Sequence, residues 1–171
     1  GTSIEDIENL LKENKNYFKV EIANDNSEGQ IVLSGKIKDL DSLSSLLKEK
    51  KIKNIRLPVS APFHCSLMNK ATEIMKEELV KLNFKKGANP LISNITADEI
   101  FNVDELKDLL VKQIENRVRW RESVINMINK GVNQFIEIGP GKVLSSLVKR
   151  TNREVKVSSI NSEEEIKNIK I

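Results

Sequence analysis

Tyr17-Phe18-Lys19-Val20-Glu21-Ile22, then Asn24-Asp25-Asn26-Ser27-Glu28-Gly29, then Gln30-Ile31-Val32-Leu33-Ser34 follow one another almost without a break. The first stretch alternates apolar and polar residues, as a half-buried strand does. The second is dense in residues that make turns. The third is a second apolar strand, so the three together predict a hairpin. Upstream, Ser3-Ile4-Glu5-Asp6 has the form of a capping box with Asp in the Glu position, and Ile4, Ile7, Leu10 and Leu11 follow at helical spacing. Downstream, Leu40, Leu43, Leu46 and Leu47 form a helical stripe, and Ile52 to Leu57 reads as a third strand. The order is αββαβ. A ferredoxin-like unit is βαββαβ, so this small subdomain has its first strand missing. That strand would lie in the middle of the sheet, and an unpaired seam there is a liability. The expectation is that the native polypeptide begins further upstream.

After Leu57 the rhythm changes. Pro58 to Phe63 reads as an extended or loop segment. Leu67, Ile74, Met75, Leu79 and Leu82 mark a long helix, and Pro90 to Ile95 a short strand. Val103 to Ile114 and Trp120 to Ile128 read as helices, Gln134 to Ile138 as a strand ended by Gly139-Pro140-Gly141. Val143 to Val148 is helix, Val155 to Val157 strand, and Glu163 to Ile169 a terminal helix. Strands alternating with helices predict a mostly parallel, helix-covered sheet. The fold class is α/β, divided into residues 1–57 and 58–171.

The 171 residues are 39% hydrophobic and 31% charged, an ordinary globular composition large enough for a hydrophobic core. No apolar run approaches the roughly 20 residues that span a bilayer, and the N-terminus has neither a basic start nor an apolar signal core. One cysteine, Cys65, excludes an internal disulfide framework; with one histidine, His64, it provides too few ligands for a His/Cys zinc site, and no metal is expected. These counts point to a reduced, cytoplasmic protein. The net charge of +3 is too mild to imply nucleic acid. Residues 107–156, however, hold eleven basic side chains against five acidic ones. Such a region either favours an anionic partner or is a solvated face.

His64 is the one side chain that titrates near neutrality without help, and it lies on a loop between a strand and a long helix. Cys65 beside it is not a nucleophile–base pair, because neighbouring side chains point in different directions; it reads as a small buried residue. Gly139-Pro140-Gly141-Lys142 opens a helix after a strand, a place where backbone N–H groups can bind anions, but its spacing is not that of a P-loop. The Gly-x-Ser-x-Gly elbow of α/β hydrolases is absent from these residues.

Four segments carry a resemblance: Asn24 to Gly35, Leu57-Pro58-Val59-Ser60-Ala61-Pro62-Phe63-His64-Cys65-Ser66-Leu67-Met68, Val111-Lys112-Gln113-Ile114, and Phe135-Ile136-Glu137-Ile138-Gly139-Pro140-Gly141-Lys142-Val143-Leu144. Their order and spacing resemble the malonyl-CoA:acyl-carrier-protein transacylase family, to whose superfamily the acyltransferase domains of polyketide synthases belong. The resemblance implies a hydrolase-like α/β core with an inserted ferredoxin-like subdomain, this chain carrying the C-terminal part of that core. The glutamine loop of the oxyanion hole, the serine elbow and the malonyl-gripping arginine would then lie upstream. It implies ping-pong transfer of malonyl from malonyl-CoA to the pantetheine thiol of acyl-carrier protein. There His64 is the catalytic base and Gln113 the residue whose backbone carbonyl holds the histidine's other nitrogen. It places Asn26 at the cleft between subdomains, Val143 at the acyl pocket, and Phe63 where a bulky ring crowds branched acyl groups. No cofactor is implied beyond the substrate malonyl-CoA and the phosphopantetheine borne by the carrier. The expected partner is acyl-carrier protein, with no nucleic acid and no membrane, and the protein is expected to be a monomer. A polyketide-type acyltransferase using another acyl-CoA and a non-catalytic carrier-binding module are the alternatives.

Overall fold

In the computed structural model, which describes residues 2–168, helix α1 (Ile4–Glu13) starts at the expected box. The Asp6 N–H donates to Ser3 Oγ and the Ser3 N–H to the Asp6 carboxylate, both at 3.1 Å. Strands β1 (Val20–Ser27) and β2 (Gln30–Gly35) pair antiparallel, and α2 (Ile37–Glu49) follows. Ile7 and Leu10 of α1, Phe18, Val20 of β1, and Leu43 and Leu47 of α2 close one core. These are the apolar positions that periodicity marks.

Two local expectations need correction. β1 starts three residues later than expected and runs straight through Asn24-Asp25-Asn26-Ser27, leaving Glu28-Gly29 as the turn, with Gly29 at φ +68°. The cause is tertiary. The Val118 N–H donates to the Ala23 carbonyl at 2.8 Å, and the Asp25 N–H to the Val118 carbonyl at 2.9 Å. Those bonds give the backbone a partner that outweighs the local turn preference of Asn and Asp. The register with β2 slips on either side of this stretch, between Ile22 and Asn24 and between Asp25 and Ser27.

The second correction concerns Ile52 to Leu57, which is no strand. Among the described residues nothing forms a ladder with it. The Ile52 N–H donates to Leu47 at the end of α2, and Ile52 packs on the core, while Ile55 and Leu57 are exposed. Apolar residues at 52, 55 and 57 suit an extended segment, but a strand also needs a neighbour to exchange hydrogen bonds with.

The second half holds a 3₁₀ turn (Ser66–Met68), α3 (Asn69–Lys81), β3 (Leu91–Ile92), β4 (Glu99–Ile100), α4 (Val103–Gln113), α5 (Trp120–Asn129), β5 (Gln134–Ile138), α6 (Val143–Thr151), β6 (Lys156–Ile160) and α7 (Glu163–Asn168). Ile169, the last residue of the expected terminal helix, lies outside the described residues. β5 and β6 are parallel, with α6 as their crossover. β3 lies within the short strand expected at Pro90 to Ile95, but its hairpin partner β4 is missed, since two residues carry no pattern. Among the described residues the sheets are therefore one parallel pair and two antiparallel pairs, a mixed α/β arrangement rather than a mostly parallel sheet. A second core gathers Val124, Val148 and Val155 with Trp120, Phe135 and Val157 around them. No helix among the described residues is long and apolar enough to cross a membrane.

Leu43 is 1% exposed at the centre of the first core. Leu43→Ala is expected to cost about 2–5 kcal/mol by urea denaturation. Between β3 and β4, hydrogen bonds from Lys130, the Glu99 N–H and Asn126 lower the Asp98 carboxyl to a pKa of about 2. A carboxyl depressed on folding stabilises above its unfolded value, near 3.8, and loses that contribution as pH falls toward the folded one. Asp98→Asn should therefore flatten the acid limb of the stability profile between those two values, read by thermal melts across that range.

Candidate active site

His64 occupies the left-handed region, at φ +59°. For a residue with a Cβ this costs roughly 1–2 kcal/mol, so the surroundings must hold it there. Three contacts do so. The His64 ring Nδ1 lies 2.8 Å from the main-chain carbonyl of Gln113, 49 residues further along. Cys65 is fully buried, its thiol donating to the Pro62 carbonyl at 3.2 Å and accepting from the Ser34 hydroxyl at 3.5 Å. The Ser66 N–H and hydroxyl both donate to Glu21 Oε1, at 3.0 and 2.5 Å. Cys65 is thus the buried small residue expected of it, facing away from any nucleophilic role.

Gln113 ends α4, and the last carbonyls of a helix have no partner within it. One of them is free to accept from the imidazole. A carbonyl can only accept, so in the neutral ring the proton sits on Nδ1 and Nε2 is bare. The geometry defines a histidine with one nitrogen fixed by the scaffold and the other ready to take a proton. His64 also lines an open cleft of about 390 Å³, with Glu8, Glu21, Glu115 and Arg117 on its walls. The Arg117 guanidinium donates to Glu8 at 2.8 Å and lies 3.5 Å from Glu122. Hydrogen bonds from Arg119, and the cations around it, hold the Glu122 carboxyl below its ordinary range.

Of the residues singled out in the sequence, His64 and Gln113 meet. Asn26, Phe63 and Val143 are not on the walls of the His64 cleft. Asn26 stands at the second register slip of β1, where a bulge re-aims a side chain. Phe63 is half-exposed beside His64, and Val143 is exposed at the first position of α6. The Gly139-Pro140-Gly141 turn needs its glycines, Gly139 being at φ +132°. Its helix start already has its acceptors: the Leu144 and Ser145 N–H groups donate to Glu137, and the Gly141 N–H to Asn161.

The basic excess of residues 107–156 is partly used internally. Arg117, Arg119, Arg121 and Lys130 are in ion pairs. Arg121 reaches Asp25 through Nε at 3.0–3.1 Å. Burial pushes the Asp25 carboxyl above its ordinary range, with Arg121 opposing that shift. Glu8 and Glu21 went unmarked in the sequence, because a charged residue on the polar face of a helix or strand looks the same whether it meets solvent or a cleft; Glu115 and Arg117 lie in the loop after α4, and Arg117 counted only as one of the basic residues of 107–156. Among the described residues, no cluster of three or more His, Cys, Asp or Glu side chains could hold a metal ion.

The site is thus a mixed α/β scaffold that presents one backbone-anchored imidazole in a cleft. Comparison with known proteins shows what the chain is similar to. The malonyl CoA-acyl carrier protein transacylase of Bacillus subtilis is 45% identical over 148 residues, which is 86% of this chain and 47% of that protein. The polyketide biosynthesis protein PksE of the same organism is 35% identical over 156 residues, 90% of this chain and 20% of its own length. The acyl-carrier-protein-S-malonyltransferase structure from Bartonella henselae superposes with a TM-score of 0.92 at 37% identity, covering 98% of this chain and 54% of that one. PlMCAT:AntF, a type II PKS acyl-carrier protein in complex with its malonyl-transacylase, gives 0.91 at 30% identity, covering 98% and 55%. No family model matches the chain. The chain is a homologue of the malonyl CoA-acyl carrier protein transacylases, and it spans about half the length of the curated transacylase relatives it matches.

Because the acceptor on Gln113 is the main chain, Gln113→Ala should leave the His64 Nδ1 proton resonance in place, with an effect on local stability within the few tenths of a kcal/mol of a surface change. Disappearance of that resonance would assign the bond to the side chain.

Proposed function

We propose that His64 is the general acid–base of acyl transfer from malonyl-CoA to the pantetheine thiol of an acyl-carrier protein, with a serine outside these residues as nucleophile. The observation that carries this is the 2.8 Å contact of Nδ1 with the Gln113 carbonyl, which leaves Nε2 as the basic atom. In the first half-reaction Nε2 takes the serine proton while the serine oxygen attacks the malonyl thioester. The carbon–sulfur bond breaks, and the imidazolium returns the proton to the departing CoA thiolate. In the second, Nε2 takes the carrier thiol's proton, the sulfur attacks the malonyl ester, and the serine oxygen leaves with that proton. Gln113 acts as the orienter that an acid provides in a Ser-His-Asp triad, with less charge. The chemistry draws on no metal or prosthetic group of this chain.

Asn26 at the register slip of β1, Phe63 beside the base and Val143 at the start of α6 are the substrate-facing residues of this reading. Residues 1–57 form a ferredoxin-like subdomain and residues 58–171 the C-terminal part of a hydrolase-like core. Support comes from the two hydrophobic cores, which share no residue. The serine-bearing polypeptide covers apolar side chains that are exposed here, Leu57, Val59, Leu67, Ile138, Val143 and Leu144 among them. The accessible surface, 12002 Å², supports this, since a compact 19.4 kDa protein exposes about 8,500 Å². The assembled enzyme works in the cytoplasm as a monomer, with the carrier protein as its transient partner.

A second reading, polyketide-type acyl transfer, is favoured by the likeness to PksE and to the type II complex. Relative turnover of malonyl-CoA and methylmalonyl-CoA separates the two. A purely binding role is weakened by the ion pairs that occupy the basic region. In the protein that carries both this chain and the serine, His64→Ala should lower transfer about 10²–10⁴-fold. Transfer at the original rate would overturn the assignment.

A further inference from the structure

Glu21 and Ser34 are cross-strand partners in the β1–β2 ladder, so their side chains stand on one face. That face meets the two residues that follow His64. Ser34 donates to the Cys65 thiol, and Glu21 accepts twice from Ser66. The two grips are unequal. The thiol contact is a weak one at 3.5 Å, whereas the carboxylate takes a backbone N–H and a hydroxyl on one oxygen, which makes both bonds charge-assisted. Ser66 begins the 3₁₀ turn that leads into α3, and Cys65 before it is extended, at φ −146°. His64 therefore lies one extended residue from a point nailed to β1, and its left-handed backbone is compatible with few positions of that point. Gln113 fixes the ring, while Glu21 fixes the chain that bears it.

We propose that Glu21 is a positioning residue for His64, holding through Ser66 the backbone turn that points the imidazole at the Gln113 carbonyl. It rests on the reading of His64 as the acid–base, but its test does not. Glu21 is exposed, so truncating it leaves no cavity in either core. His64 is the single histidine of the chain, so its ring proton is one resolvable signal.

The experiment is hydrogen exchange by NMR on the 171-residue chain with Glu21→Ala and Glu21→Gln. In Glu21→Ala the Ser66 amide and the His64 Nδ1 proton should both exchange about tenfold faster, the change that loss of one net hydrogen bond's local stability produces, while the amides of Leu43 and Leu47 keep their rates. Glu21→Gln retains an acceptor oxygen and should stay within about threefold of the original at both positions. Ser66→Ala, which removes the hydroxyl but keeps the N–H, should fall between them. An unchanged His64 Nδ1 proton in Glu21→Ala would overturn the proposal. So would equal acceleration of the α2 amides, because Glu21 would then be a general stabiliser. In the transferring enzyme the same substitution should lower kcat with KM little changed. If the exchange results hold while His64→Ala still transfers at full rate, the positioning role stands and the acid–base assignment falls.

Discussion

The hydrogen bond between the His64 ring and the Gln113 carbonyl joins the two ends of the molecule's design. It spans 49 residues, so neither partner can be placed unless α4 ends where it does and the loop before α3 turns where it does. It also decides chemistry. Because a carbonyl has no proton to give, the bond selects one tautomer and leaves one nitrogen basic. The rest of the local structure serves to hold an unfavourable backbone angle at His64 against the tendency to relax.

The hairpin is the platform for that work. Its inner face belongs to the first core through Val20, and its cross-strand pair Glu21 and Ser34 grips the residues after His64. Its free edge at Ala23 and Asp25 bonds the Val118 backbone, five residues beyond Gln113. The buried Asp25 carboxylate then anchors Arg121 on α5. One hairpin is thus tied to the chain on both sides of the histidine contact, after His64 and after Gln113. Loss of either tie would move the histidine relative to its acceptor, and such shifts weigh heavily where proton transfer needs contact near 3 Å.

Much of this is legible in the residues. The leucine stripes give α1 and α2, and Gln134 to Ile138 is a strand with the very bounds that periodicity assigns. The pairing of His64 with the Gln113 carbonyl follows from the family resemblance, not from spacing. What could not be read depends on neighbours distant in sequence. Asn24 to Ser27 carry turn chemistry, yet Val118 draws them into a strand. Ile52 to Leu57 read as a strand, yet none of the described residues pairs with them. Glu21 looks like any solvated polar residue of an amphipathic strand. Its partner Ser66 is fixed by a turn whose geometry no periodicity reveals.

The most direct test of this account is the ¹⁵N spectrum of the His64 imidazole in the neutral state, in which the protonated and bare ring nitrogens are distinguished. The account predicts the proton on Nδ1, with a coupling or exchange signature of its bond to a carbonyl, and a bare Nε2. A neutral ring protonated on Nε2 would mean that Gln113 does not hold it, and the nitrogen assigned to take the proton would be carrying one already.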